Sequence, residues 1–124
     1  MKNLKYILTM IAAAAFNLPV AAQNCKNPDT QLAMNICSGK DYEREDARLN
    51  KNYRDLVAKL EKAERDKLRD LQLAWLKFRD LQCDFQSMQY EGGTMYSLVR
   101  SMCLTGLTKQ RNKDLKDLLE EASM

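Results

Sequence analysis

Eight polar or aromatic residues stand at helical spacing within otherwise apolar stripes, and they offer the most chemistry in the chain. Asp46, Asn50 and Tyr53 fall at i, i+4 and i+7. Gln72, Trp75 and Arg79 fall at i, i+3 and i+7. Thr108 and Arg111 fall at i and i+3, between Leu104 and Leu115. Each spacing places its set on one face of a helix. An aspartate and two arginines turned inward need partners, because an unpaired buried charge is strongly destabilising. The simplest pairing joins Asp46 to Arg79 or Arg111, with Asn50, Gln72 and Thr108 completing the hydrogen bonds. The pattern predicts a structural network that fixes helix register. The sharper alternative is a polar pocket that receives a partner's group. Trp75, the only tryptophan, reads as a core residue with its N–H bonded to a neighbour.

Other chemistry is scarce. The chain has no histidine, which removes the commonest general base, the commonest metal ligand and any Ser-His or Cys-His dyad. No Gly-rich phosphate loop is present; Gly92-Gly93 alone is too weak a signal. The carboxylates mostly alternate with Lys and Arg, as solvated helix faces do. The expectation is a binding protein rather than an enzyme, with no cofactor and no metal. Two surface segments are candidates for partner contact. One is the acidic run carrying Asp41, Glu43 and Glu45, which could dock a cationic protein. The other is the segment from Asp84 to Gly93, which offers Phe85, Met88, Tyr90 and Glu91.

The N-terminus reads as a targeting segment. Lys2 and Lys5 precede an apolar stretch from Tyr6 to Phe16, then Pro19 and Val20-Ala21-Ala22. These are the parts of a secretory signal peptide over residues 1–22, with cleavage expected before Gln23. The apolar run is shorter than the ~20 residues a membrane span needs. Asn24, not a small residue, precedes Cys25, so lipidation is not expected. The 124-residue chain carries 20 basic and 17 acidic residues; losing Lys2 and Lys5 leaves 18 against 17, a net charge of +1. That near-neutral balance gives no support to a nucleic-acid partner.

Four cysteines, Cys25, Cys37, Cys83 and Cys103, remain in the exported part. An even count in a small exported protein implies disulfides, and the wide spacings lack the close CxxC pairs of zinc sites. Three pairings exist. Cys25–Cys37 with Cys83–Cys103 is favoured, because each closes a short loop beside an expected helix end. Each such loop restricts the unfolded chain by roughly 3 kcal/mol in the entropy model, which matters for a domain with a modest core.

The elements that must hold these residues are helices. Glycine and proline number only four and two, too few for a many-stranded fold. The first helix is expected from Asp29, capped by Asp29 or Thr30, with Leu32, Ile36, Leu49, Tyr53, Leu56 and Leu60 inward and a weak point at Gly39. The charged stretch Glu61 to Arg65 marks a turn without proline or glycine. A second helix carries Leu68, Leu71, Trp75, Phe78 and Leu81 or Gln82 inward and has Cys83 near its end. After the loop, Thr94 is expected to cap a third helix with Met95, Leu98, Val99, Met102, Leu107, Leu115, Leu118 and Leu119 on its apolar side. Short connections make consecutive helices antiparallel. The expected fold is all-α, a small three-helix antiparallel bundle stapled by two disulfides.

Four ordered blocks carry a resemblance. They are Asp46-x-x-Leu49-Asn50-x-x-Tyr53-x-x-Leu56, Gln72-x-x-Trp75-x-x-x-Arg79-Asp80-x-x-Cys83, Gly92-Gly93-Thr94, and Cys103-Leu104-x-x-x-Thr108-x-x-Arg111-x-x-x-Leu115. Together they resemble the LprI-type lysozyme-inhibitor family of exported bacterial proteins, and they extend over nearly all of residues 23–124. The resemblance implies a helical protein of the periplasm or cell surface whose characterised relative inhibits lysozyme. The chain departs from the lipoprotein form of that relative, since it lacks a lipidation site. The expected function is therefore binding and inhibition of lysozyme or a related peptidoglycan hydrolase. An envelope assembly module and an immunity protein against a periplasmic toxin are the rivals. The expected partner is a protein, with no membrane insertion; the sequence sets no oligomeric state.

Overall fold

The computed structural model describes residues 24–124, and the expected signal peptide lies outside them. Three helices run through this region: α1 (Gln31–Val57), α2 (Lys62–Ser87) and α3 (Tyr96–Ala122). One 3-10 turn, Met88–Tyr90, follows α2. The fold is the expected all-α bundle with two disulfides, Cys25–Cys37 and Cys83–Cys103.

Local sequence explains most helix ends. Thr30 takes the cap of α1, its Oγ1 accepting from the Ala33 N–H at 3.0 Å, as a hydroxyl at this position does. The turn between α1 and α2 has neither proline nor glycine and is held by charged side chains. Glu64 Oε2 accepts from the Glu61 N–H at 3.0 Å, and Arg65 Nη1 donates to the Leu60 carbonyl at 2.9 Å. These bonds satisfy groups that a helix end leaves without partners. α1 passes through Gly39 without a break; tertiary contacts on either side outweigh the small propensity deficit. Thr94 does not cap α3, because the helix begins at Tyr96 behind Met95, with no side-chain cap.

The three helices run up, down and up, so α1 and α3 are parallel with α2 antiparallel to both. Asn35 near the start of α1 bonds the Thr94 carbonyl just ahead of α3. Midway, Asn112 of α3 bonds Glu45 of α1. At the far end Leu56, Leu60, Leu68 and Leu118 line one groove. Along its axis the bundle has three zones. The far end is apolar, with Leu49, Leu56, Leu68 and Leu115 buried and Tyr53, Val57, Leu60, Trp75, Leu76 and Leu119 packed around them. The middle is polar. The near end carries both disulfides and the buried Ser87.

Several side chains expected inside are outside. Leu32 on α1, Leu71, Phe78 and Leu81 on α2, and Met95, Met102 and Leu118 near or on α3 are all exposed. On α2 the buried positions are Leu68, as expected, with Gln72, Arg79, Cys83 and Ser87. The face with polar residues at its centre is the one that meets α1 and α3. A rule that turns the most apolar stripe inward selects the opposite face.

Candidate functional site

The polar middle zone is built from all three helices. Arg79 on α2 is its centre. Its Nη1 reaches Asp46 Oδ1 of α1 at 3.3 Å and Thr108 Oγ1 of α3 at 3.4 Å, while its Nε donates to Asp80 at 3.0 Å. The guanidinium stacks within 5.4 Å of both the Tyr42 and the Trp75 ring centroids, a distance at which the ring faces attract a cation. Arg111 approaches Trp75 at 5.8 Å and donates from Nε to Gln72 Oε1 at 3.0 Å. Trp75 thus contacts both guanidinium groups, and it also packs against the leucine core. Burial lowers the Arg111 pKa, an effect that Asp114 partly opposes. Its Nη2 is buried without a hydrogen-bond partner.

The expected network therefore forms from Asp46, Gln72, Trp75, Arg79, Thr108 and Arg111. Two members do not join it. Asn50 is exposed to solvent, and Tyr53 packs against the leucine cluster. A second polar cluster takes part instead, between α1 and α3. Asn112 Nδ2 donates to Glu45 Oε2 at 3.1 Å and to the Glu45 carbonyl at 3.0 Å. Asn52 donates to Asn112 Oδ1 at 3.1 Å, and Arg48 closes on Glu45 at 2.9 Å. Sequence reasoning placed Glu45 in an exposed acidic run; it is buried. The available signal was the spacing Glu45, Leu49, Asn52, Leu56, a stripe one residue out of phase with Asp46, Asn50, Tyr53. The stripe of Glu45, Leu49 and Leu56 is the buried one, while Asp46 and Tyr53 are half-buried.

The surface candidates change accordingly. With Glu45 inside and Asp41 paired to Arg44, the acidic run leaves Asp41 and Glu43 on the surface. The second candidate segment is firmly held. α2 continues to Ser87, whose Oγ donates to the Cys83 carbonyl at 2.7 Å. Gly92 takes φ +76°, and the Gly93 N–H donates to the Tyr90 carbonyl at 3.0 Å. A side chain at position 92 would be strained there, so glycine is needed for the turn. The Cys83–Cys103 disulfide, the Arg100–Asp84 ion pair at 3.0 Å and the Asn35 bond to Thr94 at 2.9 Å fix the base. Tyr90 is half-buried and Glu91 exposed at the tip, while Phe85 and Met88 point outward from the end of α2.

Among the described residues, no group of three or more His, Cys, Asp or Glu side chains is placed to hold a metal ion. No described helix is long and apolar enough to cross a membrane. The features present are a largely paired polar interior, with Arg111 Nη2 and Thr105 Oγ1 left without partners, and a braced turn at one end, which define a small disulfide-stapled helical domain with a preformed surface. The chain belongs to the family described as lysozyme inhibitor LprI, which matches residues 21–115. It is also 32% identical to an uncharacterized protein of Rhizobium meliloti (strain 1021), over 93% of this chain and 92% of that one. No solved structure matches it.

Proposed function

We propose that the protein is exported by a cleaved signal peptide over residues 1–22 and inhibits a lysozyme-type peptidoglycan hydrolase in the periplasm or outside the cell. Family membership over residues 21–115 carries this reading. Two disulfides support an oxidising location.

The contact is assigned to the turn after α2. Tyr90 and Glu91 stand on a base held by a disulfide, an ion pair and a cross-helix hydrogen bond. A segment already ordered loses little conformational freedom on binding, which favours insertion into a cleft. Glycosidases of this type work with carboxylates in such a cleft, and occupying it excludes the polysaccharide. Asp41 and Glu43 add a small acidic surface on α1 toward a cationic enzyme. The polar middle zone acts as scaffold, holding the helices in register beneath the turn.

The test is to titrate disulfide-intact residues 23–124 against animal and bacterial lysozymes in a cell-wall clearing assay. Stoichiometric loss of lytic activity is expected, and Tyr90→Ala with Glu91→Ala should weaken inhibition at least about tenfold, or ~1.4 kcal/mol. No inhibition of any of these enzymes at micromolar concentration would overturn the proposal.

A further inference from the structure

α2 carries two apolar faces, and the bundle uses only one. Leu68, Gln72, Trp75, Leu76, Arg79 and Cys83 face the other helices or the core. On the opposite side stand Leu71, Ala74, Phe78, Leu81 and Phe85, continued by Met88 at the start of the 3-10 turn, spaced by alternating steps of three and four. All six are exposed, the five large ones by between 51% and 74%. The row is about 26 Å long at 1.5 Å per residue. Alternating steps of three and four are the signature of a helix that packs against another helix by knobs into holes. A continuous exposed apolar seam of this kind marks an interaction surface.

We propose that this seam is the interface of a symmetric dimer, in which α2 packs antiparallel against α2 of a second copy. Side-chain size and charge select this occupant. An antiparallel pairing centred between Arg79 and Asp80 sets Phe78 against Leu81 of the second copy. It sets Ala74 against Phe85 and Leu71 against Met88. The smallest side chain of the row then faces one of its two aromatic rings, and each layer is made twice by the two-fold symmetry. A parallel pairing would stack Ala74 on Ala74 and Phe85 on Phe85, leaving one layer empty and another crowded.

The flanking charges agree with the same register. In an antiparallel pair the residues just before the first position of each heptad face one another across the seam. Here they are Asp70, Lys77 and Asp84; Lys77 of each copy meets Asp84 of the other, whose carboxylate also pairs with Arg100 of its own chain, while Asp70 lies opposite the turn beyond the end of α2. The opposite flank carries the uncharged Gln82, with Trp75 turned into the core, so no like charges are opposed there. Leu71 also borders an apolar groove of about 510 Å³, lined by Leu56, Leu60, Leu68 and Leu118. The groove gives the flexible Met88 side chain of the second copy a place to lie. This inference is independent of which enzyme the protein inhibits.

The experiment is sedimentation equilibrium on disulfide-intact residues 23–124 at 1 to 100 µM, with helicity of every variant checked by circular dichroism. The wild type should be a dimer over most of that range. Leu81→Lys, an exposed position in the single chain, should stay helical and sediment as a monomer. Lys77→Glu should weaken the dimer at least tenfold, and Lys77→Glu with Asp84→Lys and Arg100→Glu, which keeps an ion pair between positions 84 and 100 of each chain, should recover most of the loss. A wild-type monomer at 100 µM overturns the proposal, as does a dimer unchanged by Leu81→Lys. Weakening by Lys77→Glu that the full charge reversal, Arg100→Glu included, fails to relieve overturns the antiparallel register. A monomeric wild type whose inhibition of lysozyme is lost in Leu81→Lys would instead assign the seam to the enzyme.

Discussion

Arg79 and Arg111 sit in the same polar zone, yet their side chains are unequally served. Arg79 has two carboxylates, a hydroxyl and two ring faces. Arg111 has Gln72, one ring face and a buried Nη2 without a partner. A buried charge with incomplete pairing adds little net stability, whereas breaking its remaining bond leaves the other partner stranded. Arg111→Met alone should therefore cost about 1–3 kcal/mol, because it strands the Gln72 carbonyl oxygen. Adding Gln72→Leu removes that oxygen, and the double variant should return to within about 1 kcal/mol of wild type. Urea denaturation of the two variants measures the difference, and a double variant no more stable than the single one contradicts this account. The sequence revealed these residues because arginine, glutamine and aspartate stand out within apolar stripes. It hid Asn112 and Glu45, whose neighbours in sequence are equally polar.

Among the elements, the helices and disulfides were legible for different reasons than the helix ends. Scarce turn residues and long periodic stretches leave few options besides three rods, and the two bridges close the shortest loops available. The inward faces were harder. Leu71, Phe78 and Leu81 form the more apolar side of α2 and yet lie outside, while Gln72 and Arg79 lie inside because partners on α1 and α3 complete them. Periodicity reports that a stripe exists, not which neighbour covers it. The start of α3 was misplaced because a threonine after two glycines has the composition of a cap, whereas Thr94 contributes its backbone carbonyl to Asn35. Gly39 and Gly106 lie within α1 and α3, and a Cβ added at either meets nothing within 4 Å. Neither has a positive φ, so no turn or close approach requires a glycine there. Each Gly→Ala change should add roughly 0.5–1 kcal/mol by restricting the unfolded chain. The pair should raise the melting temperature by about 4–8 °C for each kcal/mol gained, as thermal circular dichroism will read. No rise would mean that one of these glycines serves a contact beyond the single chain.

At the scale of the whole molecule the apolar core is small and residues 23–124 are nearly neutral, so neither a large core nor long-range steering defines the protein. The two surfaces proposed for recognition lie in two places: the braced turn carrying Tyr90 and Glu91, and the outer seam of α2. An antiparallel pairing of α2 puts the two turns at opposite ends of the dimer, where each can enter a separate enzyme without collision. Phe85 and Met88 come after Cys83 in the same segment as Tyr90, but they belong to the seam by spacing. Phe85→Lys should therefore abolish the dimer while leaving inhibition within about twofold. Tyr90→Ala with Glu91→Ala should do the reverse, since both truncate side chains beyond the seam and leave the Glu91 N–H bond to the Met88 carbonyl in place. Sedimentation and the clearing assay, run on the same preparations, separate the two effects. If Phe85→Lys lost inhibition while remaining dimeric, Phe85 would belong to the enzyme contact, and the seam would have to end at Leu81.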